Sequence, residues 1–275
     1  MAFEHPGTGA LDYYPCRYGD SRLMFRGPRR TLERSFIAAI GGSETYGKFV
    51  LDPWPARLEA ALGLPVVNFG CLNAGADTFL QEKILARQAK AARLAIVQLV
   101  GAANLSNGYY YVHPRRNDRF LTETARLRAL FPGVDFTEFT FTRHMLGTLQ
   151  ARDPAAFAIL AAELQTVWVR QMTRFLNRIG GTAVLLWLRG CADDGAPGPE
   201  PALVTAEMVA QVAAGAEEVV EVRPSAAALS LGTDEMHFAP MEAPAAAVMP
   251  GPQVHAEIAA ALQPVMRRLL DQTPR

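Results

Sequence analysis

The chain has 275 residues, of which 50% are hydrophobic, and its 27 basic and 27 acidic side chains leave no formal net charge. This length accommodates one large α/β domain with a substantial core, whereas the charge balance excludes a general nucleic-acid or anionic-membrane surface. The first residues lack a secretory leader pattern, and no apolar run reaches the roughly eighteen residues of a membrane span, so we expect a cytoplasmic protein.

Metal and cofactor chemistry of the usual kinds lacks support in the sequence. The three cysteines lie far apart and form no C-x-x-C pair, which argues against a disulfide framework and a zinc site: Cys16, Cys71 and Cys191. The phosphate-binding loop, the G-x-G-x-x-G turn and the H-E-x-x-H helix do not occur. We therefore predict neither a metal nor a cofactor.

The first 35 residues form a segment of their own. They are rich in proline, glycine, tyrosine and arginine and have no clear periodicity. A disordered tail is normally poor in aromatic residues. We therefore predict an irregular arm over 1–35 that wraps on the domain.

The first predicted strand leads directly into a candidate nucleophile. Residues 36–40 are an uninterrupted apolar run, typical of a parallel strand covered on both faces, and Gly41 and Gly42 end it. Ser43 follows at the carboxyl end of the strand, which is where open α/β sheets bind their ligands. Ser43 is either a nucleophile presented by a glycine turn or only the N-cap of the next segment.

Strands and helices then alternate along the chain. Buried strands are predicted over 64–70, 94–100 and 182–188, and helices over 54–62, 79–93 and 154–179. A helix near 203–213, a short strand over 218–222 and a final helix over 252–270 complete the pattern. This alternation predicts an α/β fold with a three-layer, doubly wound, mostly parallel sheet.

Residues 105–152 interrupt the alternation, and we predict that they form an inserted cap over the site. Two helical pieces are expected there, at about 120–130 and 137–149. The start of the insert offers four candidates for binding an anionic sugar or nucleotide through forked hydrogen bonds and ring stacking: Tyr110, His113, Arg115 and Arg116. The alternative is that these side chains only pack and cover the apolar surface of the insert.

Polar residues that follow the predicted strands meet at one edge of the sheet. Acyl transfer to a serine needs a nucleophile, a base, an acid that orients the base, and oxyanion donors. Ser43 is the candidate nucleophile, His237 the base and Asp234 the orienting acid. The remaining candidates would hold the oxyanion, together with the Ser43 amide, or contact the substrate: Gly70, Asn104 and Asn73.

These residues resemble the sequence blocks of the SGNH (GDSL-like) hydrolase superfamily. The segment 41–45 is similar to its nucleophile block, 68–70 to its glycine block, 101–104 to its asparagine block and 234–237 to its closing D-x-x-H. The resemblance covers roughly 36–104 and 182–271, and it implies a single flavodoxin-like domain over 1–275 that acts on esters without a metal. The whole chain also resembles a bacterial family of uncharacterised function placed near SGNH proteins.

Departures from the SGNH pattern leave the identity of the base open. Gly42 replaces the usual aspartate, and residues 238–251 separate His237 from the start of the final helix. When 249–255 is aligned directly with the usual start of that helix, Met249 occupies the position of the catalytic histidine. His237 is then a bystander.

The sequence therefore supports three hypotheses. The first is a serine-dependent ester hydrolase or acyltransferase that acts on a small or carbohydrate-linked ester. The second is a catalytically incomplete SGNH-like protein that binds an anionic sugar or nucleotide-like ligand in surface polysaccharide biosynthesis. The third is an interacting protein whose arm and insert form a homo-oligomer interface.

Overall fold

A computed structural model describes residues 9–180, 182–190 and 201–272; Cys191 and the first eight residues of the predicted arm lie outside the described residues. The strands are β1 (Ile37–Gly41), β2 (Val66–Gly70), β3 (Leu94–Gln98), β4 (Tyr110–His113), β5 (Arg116–Glu123), β6 (Ala183–Leu188) and β7 (Glu218–Val222). The helices are α1 (Ser43–Tyr46), α2 (Trp54–Leu62), α3 (Ala76–Gln81), α4 (Lys83–Ala91), α5 (Ala125–Leu130), α6 (Thr142–Arg152), α7 (Pro154–Ile179), α8 (Ala206–Ala213), α9 (Ala226–Ser230), α10 (Ala243–Ala246) and α11 (Pro252–Gln272).

Five strands form a parallel sheet in the order β2-β1-β3-β6-β7. The chain starts at β1, moves one strand outward to β2, and then crosses to β3 on the other side of β1. The strand order therefore reverses between β1 and β3, and a crevice opens there at the carboxyl ends of the strands. This topology confirms the predicted doubly wound α/β fold.

Helices cover both faces of the sheet, because successive strand residues point to opposite sides. Ile37 and Ala39 of β1 pack in one apolar cluster with residues of α2 and α11, such as Trp54 and Leu262. Ala38 and Ile40 pack in a second cluster with residues of α3, α4, α7 and α8. The uninterrupted apolar runs of the strands follow from this burial on both sides.

The structure corrects two predictions of local structure. Residues 120–123, predicted as helix, belong to β5, which pairs with β4 as an antiparallel hairpin closed by the turn at Pro114 and Arg115. Phe120 of β5 is buried, whereas its neighbours Arg119 and Leu121 are exposed, because successive strand residues point to opposite faces. The helix predicted over 79–93 is divided at Glu82 into α3 and α4, because the backbone of Glu82 is extended.

The described part of the arm has little regular secondary structure but packs closely on the domain. Cys16 and Phe25 form an isolated antiparallel bridge, and Tyr18 and Phe25 pack their rings against Phe69 of β2. In the part of the chain that the structure describes, no helix is long and apolar enough to cross a bilayer.

Candidate functional site

Ser43 lies at the carboxyl end of β1 and begins the four-residue helix α1. Its side chain is buried, with the residue 8% exposed. The turn that precedes it needs a glycine, since a Cβ atom on Gly41 would lie 2.1 Å from Oγ1 of Thr45. Close packing of this turn against α1 therefore fixes where the Ser43 hydroxyl emerges.

Gln98, at the end of β3, is hydrogen-bonded to the loop that carries Ser43, which we call the serine loop. Its Oε1 accepts hydrogen bonds from the amide of Gly42 (3.1 Å), the amide of Thr45 (3.2 Å) and Oγ1 of Thr45 (2.5 Å). Its Nε2 donates to Oε2 of Glu44 at 2.8 Å. One buried amide side chain thus connects the loop on both sides of Ser43 to the neighbouring strand.

Asn73 is the direct partner of the Ser43 hydroxyl. The Asn73 amide donates to Oγ of Ser43 at 3.0 Å, and Oγ lies within donating distance, 3.4 Å, of Oδ1 of Asn73. Asn73 has a φ of 56°, in the left-handed region, which asparagine tolerates better than most residues. This backbone conformation turns both the amide and the side chain of Asn73 toward Ser43.

A cavity of about 320 Å³ opens beside Ser43, at the crevice between β1 and β3. Its described walls come from the ends of β1, β3 and β6, the loop after β2, residue 118 of β5, the start of α6, and residues 201–202 and 248–250. The residues with chemical functions on these walls are Ser43, Glu44, Asn73, Gln98, Asn104, Asp118, Thr142 and Arg143. The predicted site edge and the inserted segment therefore meet at one cavity.

Asn104 follows β3 and lines the same cavity as Ser43. Its Oδ1 accepts a hydrogen bond from Oγ1 of Thr142 at 2.6 Å. A side-chain amide whose oxygen is engaged in this way presents its NH₂ group as a donor elsewhere. The backbone of Asn104 also lies close to Gly75, where a Cβ atom would be 1.7 Å from the Asn104 carbonyl oxygen.

Asp118 enters the cavity from the hairpin. Its neighbour Asn117, which is fully buried, accepts hydrogen bonds at Oδ1 from the amides of Gly75 and Thr78, at 2.9 and 3.2 Å. Asn117 thereby satisfies amides at the start of α3 and fastens β5 to the loop after β2. Oδ2 of Asp118 then accepts from Nδ2 of Asn73 at 3.2 Å.

Burial and nearby positive groups act on the pKa of Asp118 in opposite directions. Burial raises the pKa of Asp118, because it disfavours the charged carboxylate, and this outweighs the lowering by nearby positive groups. Those groups are Arg116, Arg119 and His113. The oxygen Oδ1 of Asp118 is buried without a hydrogen-bond partner among the described residues.

The predicted base and its orienting acid lie away from these walls. Asp234 and His237 are exposed, and the amide of His237 donates to the carbonyl of Phe49 at 2.8 Å. Among the described lining residues no histidine occurs, whereas Met249 is present. The roles of Asp234 and His237 stay predictions, and the structure does not bring their side chains to the cavity wall.

The predicted glycine donor also lies outside the lining. The amide of Gly70 donates to Oδ1 of Asn68 at 2.8 Å, so it is already engaged at the end of β2. The amide that approaches Oγ of Ser43 belongs instead to Asn73. Of the residues predicted from sequence, the cavity brings together Ser43, Asn73 and Asn104.

The substrate-binding candidates of the insert are divided between core and surface. Tyr110 is fully buried and donates its hydroxyl to the Ala103 carbonyl at 2.6 Å. Arg115 and Arg116 are exposed at the hairpin turn, and Nη2 of Arg116 lies 3.9 Å from Oδ2 of Asp118. His113 is half-buried, and its Nδ1 accepts from the amide of Arg115 at 3.2 Å.

Sequence reasoning missed five of the functional groups on the described walls: Glu44, Gln98, Asp118, Thr142 and Arg143. Gln98 carried a usable signal, because it is a polar residue inside an otherwise apolar strand. Asp118, Thr142 and Arg143 carried none, since they reach the cavity from an insert whose path over the sheet has no local signature. In the described part of the chain, no group of three or more His, Cys, Asp or Glu side chains could hold a metal ion.

Comparisons with known proteins give a family and a distant structural similarity. The sequence profile of the family described as "Domain of unknown function (DUF6473)" matches residues 1–270. No curated protein matches the chain. Among solved structures, the lipase Lip_vut3 from a goat rumen metagenome is similar over 84% of this chain and 97% of its own, with 12% identity and a TM-score of 0.41.

Proposed function

We propose that the chain, which belongs to the DUF6473 family, is a serine-dependent ester hydrolase or acyltransferase with Ser43 as its nucleophile. The observation that carries this proposal is the position of Ser43, which is buried and lines a cavity. Its hydroxyl is held between the amide and the side-chain oxygen of Asn73. A hydroxyl held in one place at a ligand-binding edge is what a nucleophile requires.

The surroundings of Ser43 supply donors for a developing oxyanion. The first amides of a helix have no acceptor within that helix, and Ser43 is the first residue of α1. The Asn104 side chain adds an NH₂ group on the same cavity wall. Attack of the Ser43 oxygen on an acyl carbonyl would place negative charge on the carbonyl oxygen, which these donors would stabilise.

The cavity suits a small acyl ester. Its volume of about 320 Å³ is at the lower end of the usual range for small-molecule sites. Leu99, Val100, Phe141, Leu188 and Met249 make one part of the wall apolar. An acyl chain would lie against these side chains, while the alcohol part, a small or carbohydrate-linked group, would face the cavity mouth.

The test is labelling with a fluorophosphonate probe, because only an activated serine reacts readily with it. We expect one adduct on the wild-type protein by intact mass, located at Ser43 by peptide mapping and absent from Ser43→Ala. Ser230→Ala, at an exposed serine of α9, is the matched control and should be labelled like the wild type. A folded wild-type protein that forms no adduct would exclude this function.

A second candidate is a catalytically incomplete protein that binds an anionic sugar or nucleotide-like ligand. Met249 on the cavity wall favours it, because Met249 aligns with the catalytic histidine in one alignment to the SGNH pattern. Arg143, on the same wall, would then contact the anionic group of the ligand. Thermal shift measurements with sugar phosphates and nucleotides on the unlabelled protein test this candidate, and a shift lost in Arg143→Gln would support it.

A further inference from the structure

We propose that Asp118 of the hairpin is the general base that activates Ser43, a role that rests on the proposed serine chemistry. Among the described residues of the cavity wall there is no histidine, and we therefore consider the carboxylates there as acceptors of the serine proton. Asp118 and Glu44 are the two carboxylates on that wall. Their hydrogen bonds distinguish them.

Glu44 is already committed to the serine loop. Its Oε2 accepts from Nε2 of the buried Gln98 at 2.8 Å, and the same Gln98 holds the amides on both sides of Ser43. Moving Glu44 to accept a proton would release this support. Glu44 therefore serves as part of the loop's scaffold.

Asp118 has both a connection to Ser43 and an unused acceptor. Oδ2 of Asp118 binds Nδ2 of Asn73 at 3.2 Å, and Oδ1 of Asn73 faces Oγ of Ser43 at 3.4 Å. A single amide group thus separates the carboxylate from the hydroxyl. Oδ1 of Asp118 is buried without a partner among the described residues, and such an unpaired acceptor costs free energy and calls for an explanation. Because Oδ1 is closed to solvent, a proton carried by water would reach the carboxylate at Oδ2.

The charges around Asp118 are compatible with proton transfer. Arg116, Arg119 and His113 face Asp118 from the hairpin, and Glu44 and Arg143 are the other charged groups on the cavity wall. Burial nevertheless raises the pKa of Asp118 above that of an ordinary aspartate. A carboxylate whose pKa is shifted toward the working pH is a stronger base while it remains ionised.

The Ser43 oxygen forms a bond with the acyl carbon as its proton passes, through one water molecule, to the Asp118 carboxylate, and the carbonyl π pair moves to oxygen. Collapse of this intermediate breaks the bond to the leaving oxygen, which takes the proton from Asp118. Water or an acceptor hydroxyl then attacks the acyl-enzyme, giving its proton to Asp118, which returns it to the departing Ser43 oxygen.

The pH dependence of fluorophosphonate labelling tests this role. For the wild type, the labelling rate between about pH 4 and pH 9 should rise through a pKa above the usual 3.9 of aspartate, because the base must be ionised. In Asp118→Asn the rate should fall by about 10²- to 10⁴-fold and the rising limb should disappear. Asp271→Asn, at an exposed residue near the end of α11, should behave like the wild type.

The outcomes separate this inference from the proposed function. Labelling of Asp118→Asn with the wild-type rate and pH profile overturns the role of Asp118 alone, and loss of labelling in His237→Ala would then assign the base to His237. Absence of labelling in the wild type overturns the serine function itself. If Asp118→Asn does not fold, ¹³C NMR titration of the Asp118 carboxyl in the wild type decides, because its midpoint must match that of the labelling profile.

Discussion

Gln98 shows how much of the serine loop depends on one buried side chain. It accepts three hydrogen bonds from residues 42 and 45 and donates one to Glu44, and it is 4% exposed. Thr45 is fully buried, so its amide and hydroxyl have no access to water when Gln98 is absent. The position of the Ser43 hydroxyl is thus fixed by a residue that does not touch it.

Replacement of Gln98 by methionine, which is similar in size, should affect both stability and reactivity. It leaves two amides, a hydroxyl and a carboxylate unpaired, so the free energy of unfolding should fall by about 1–3 kcal/mol. Labelling of Ser43 should slow by about 10- to 100-fold, because small displacements of a reacting group are costly. Chemical denaturation and labelling rates measure these effects, with Gln81→Met at the exposed end of α3 as the control.

The arm acts on the site through the segment that follows α1. The Arg26 guanidinium donates to four backbone carbonyls, those of Tyr46, Gly47, Val50 and Leu51, at 2.6 to 3.2 Å. Carbonyls at the end of a helix lack intrahelical donors, and a positive charge there also interacts favourably with the helix dipole. The arm therefore satisfies backbone carbonyls at the end of α1 and in the segment that follows it.

Arg26→Lys should not preserve this arrangement. An ammonium group is a single point, whereas the planar guanidinium reaches carbonyls on two sides with separate nitrogens. We expect a loss of about 1–3 kcal/mol in the free energy of unfolding, since buried carbonyls are left unpaired. Arg22→Lys, at an exposed arm residue, should leave the denaturation midpoint unchanged, and an equal effect of both variants would contradict the role of Arg26.

The hairpin illustrates where element prediction failed. Residues 120–130 were expected to be helical, but 120–123 complete β5 because Phe120 is buried against Tyr110 and Phe136 of the insert. Part of the signal lay in the sequence, since Pro114 and Arg115 form a turn and the run before it, Tyr110–His113, alternates between more and less buried positions. Strand pairing across a turn thus overrode a local helical pattern.

At the scale of the whole molecule, His255 joins two helices on one face of the sheet. It is fully buried in α11, and its Nδ1 accepts a hydrogen bond from the amide of Trp54, the first residue of α2, at 3.1 Å. This contact satisfies a helix-start amide and requires neutral imidazole. Burial, together with the positive charges of Arg57 and Arg26, lowers the pKa of His255 to about 3.

His255 should make the stability of the whole domain depend on pH. Between about pH 3 and pH 6.5 the unfolded chain binds a proton at this residue and the folded chain does not. Stability is therefore fully present above pH 6.5 and falls, as the pH drops through this window, by up to about 1.4 kcal/mol per pH unit. His255→Asn, which keeps an acceptor but does not titrate, should flatten this slope in denaturation curves measured against pH. An identical slope in both proteins would assign it to other groups.

The sequence by itself determined the sheet and the place of Ser43, the proposed nucleophile. Apolar runs that end in glycine predicted the strands, and the helical spacing over 154–179 predicted α7, because these patterns are local consequences of burial on a periodic backbone. Ser43 at the carboxyl end of β1 followed from the same pattern. Strand direction alone then placed Ser43 at the binding edge.

Only the tertiary structure decided which groups surround Ser43. Asn73, Asp118 and Met249 come from three separate segments and line one cavity. The buried contacts of Asn117 hold Asp118 close to the loop after β2. No periodicity records such contacts, since they join residues far apart in the chain. The physical reason is that each buried strand follows from the apolar character of its own residues. The cavity wall depends instead on how separate segments pack against one another.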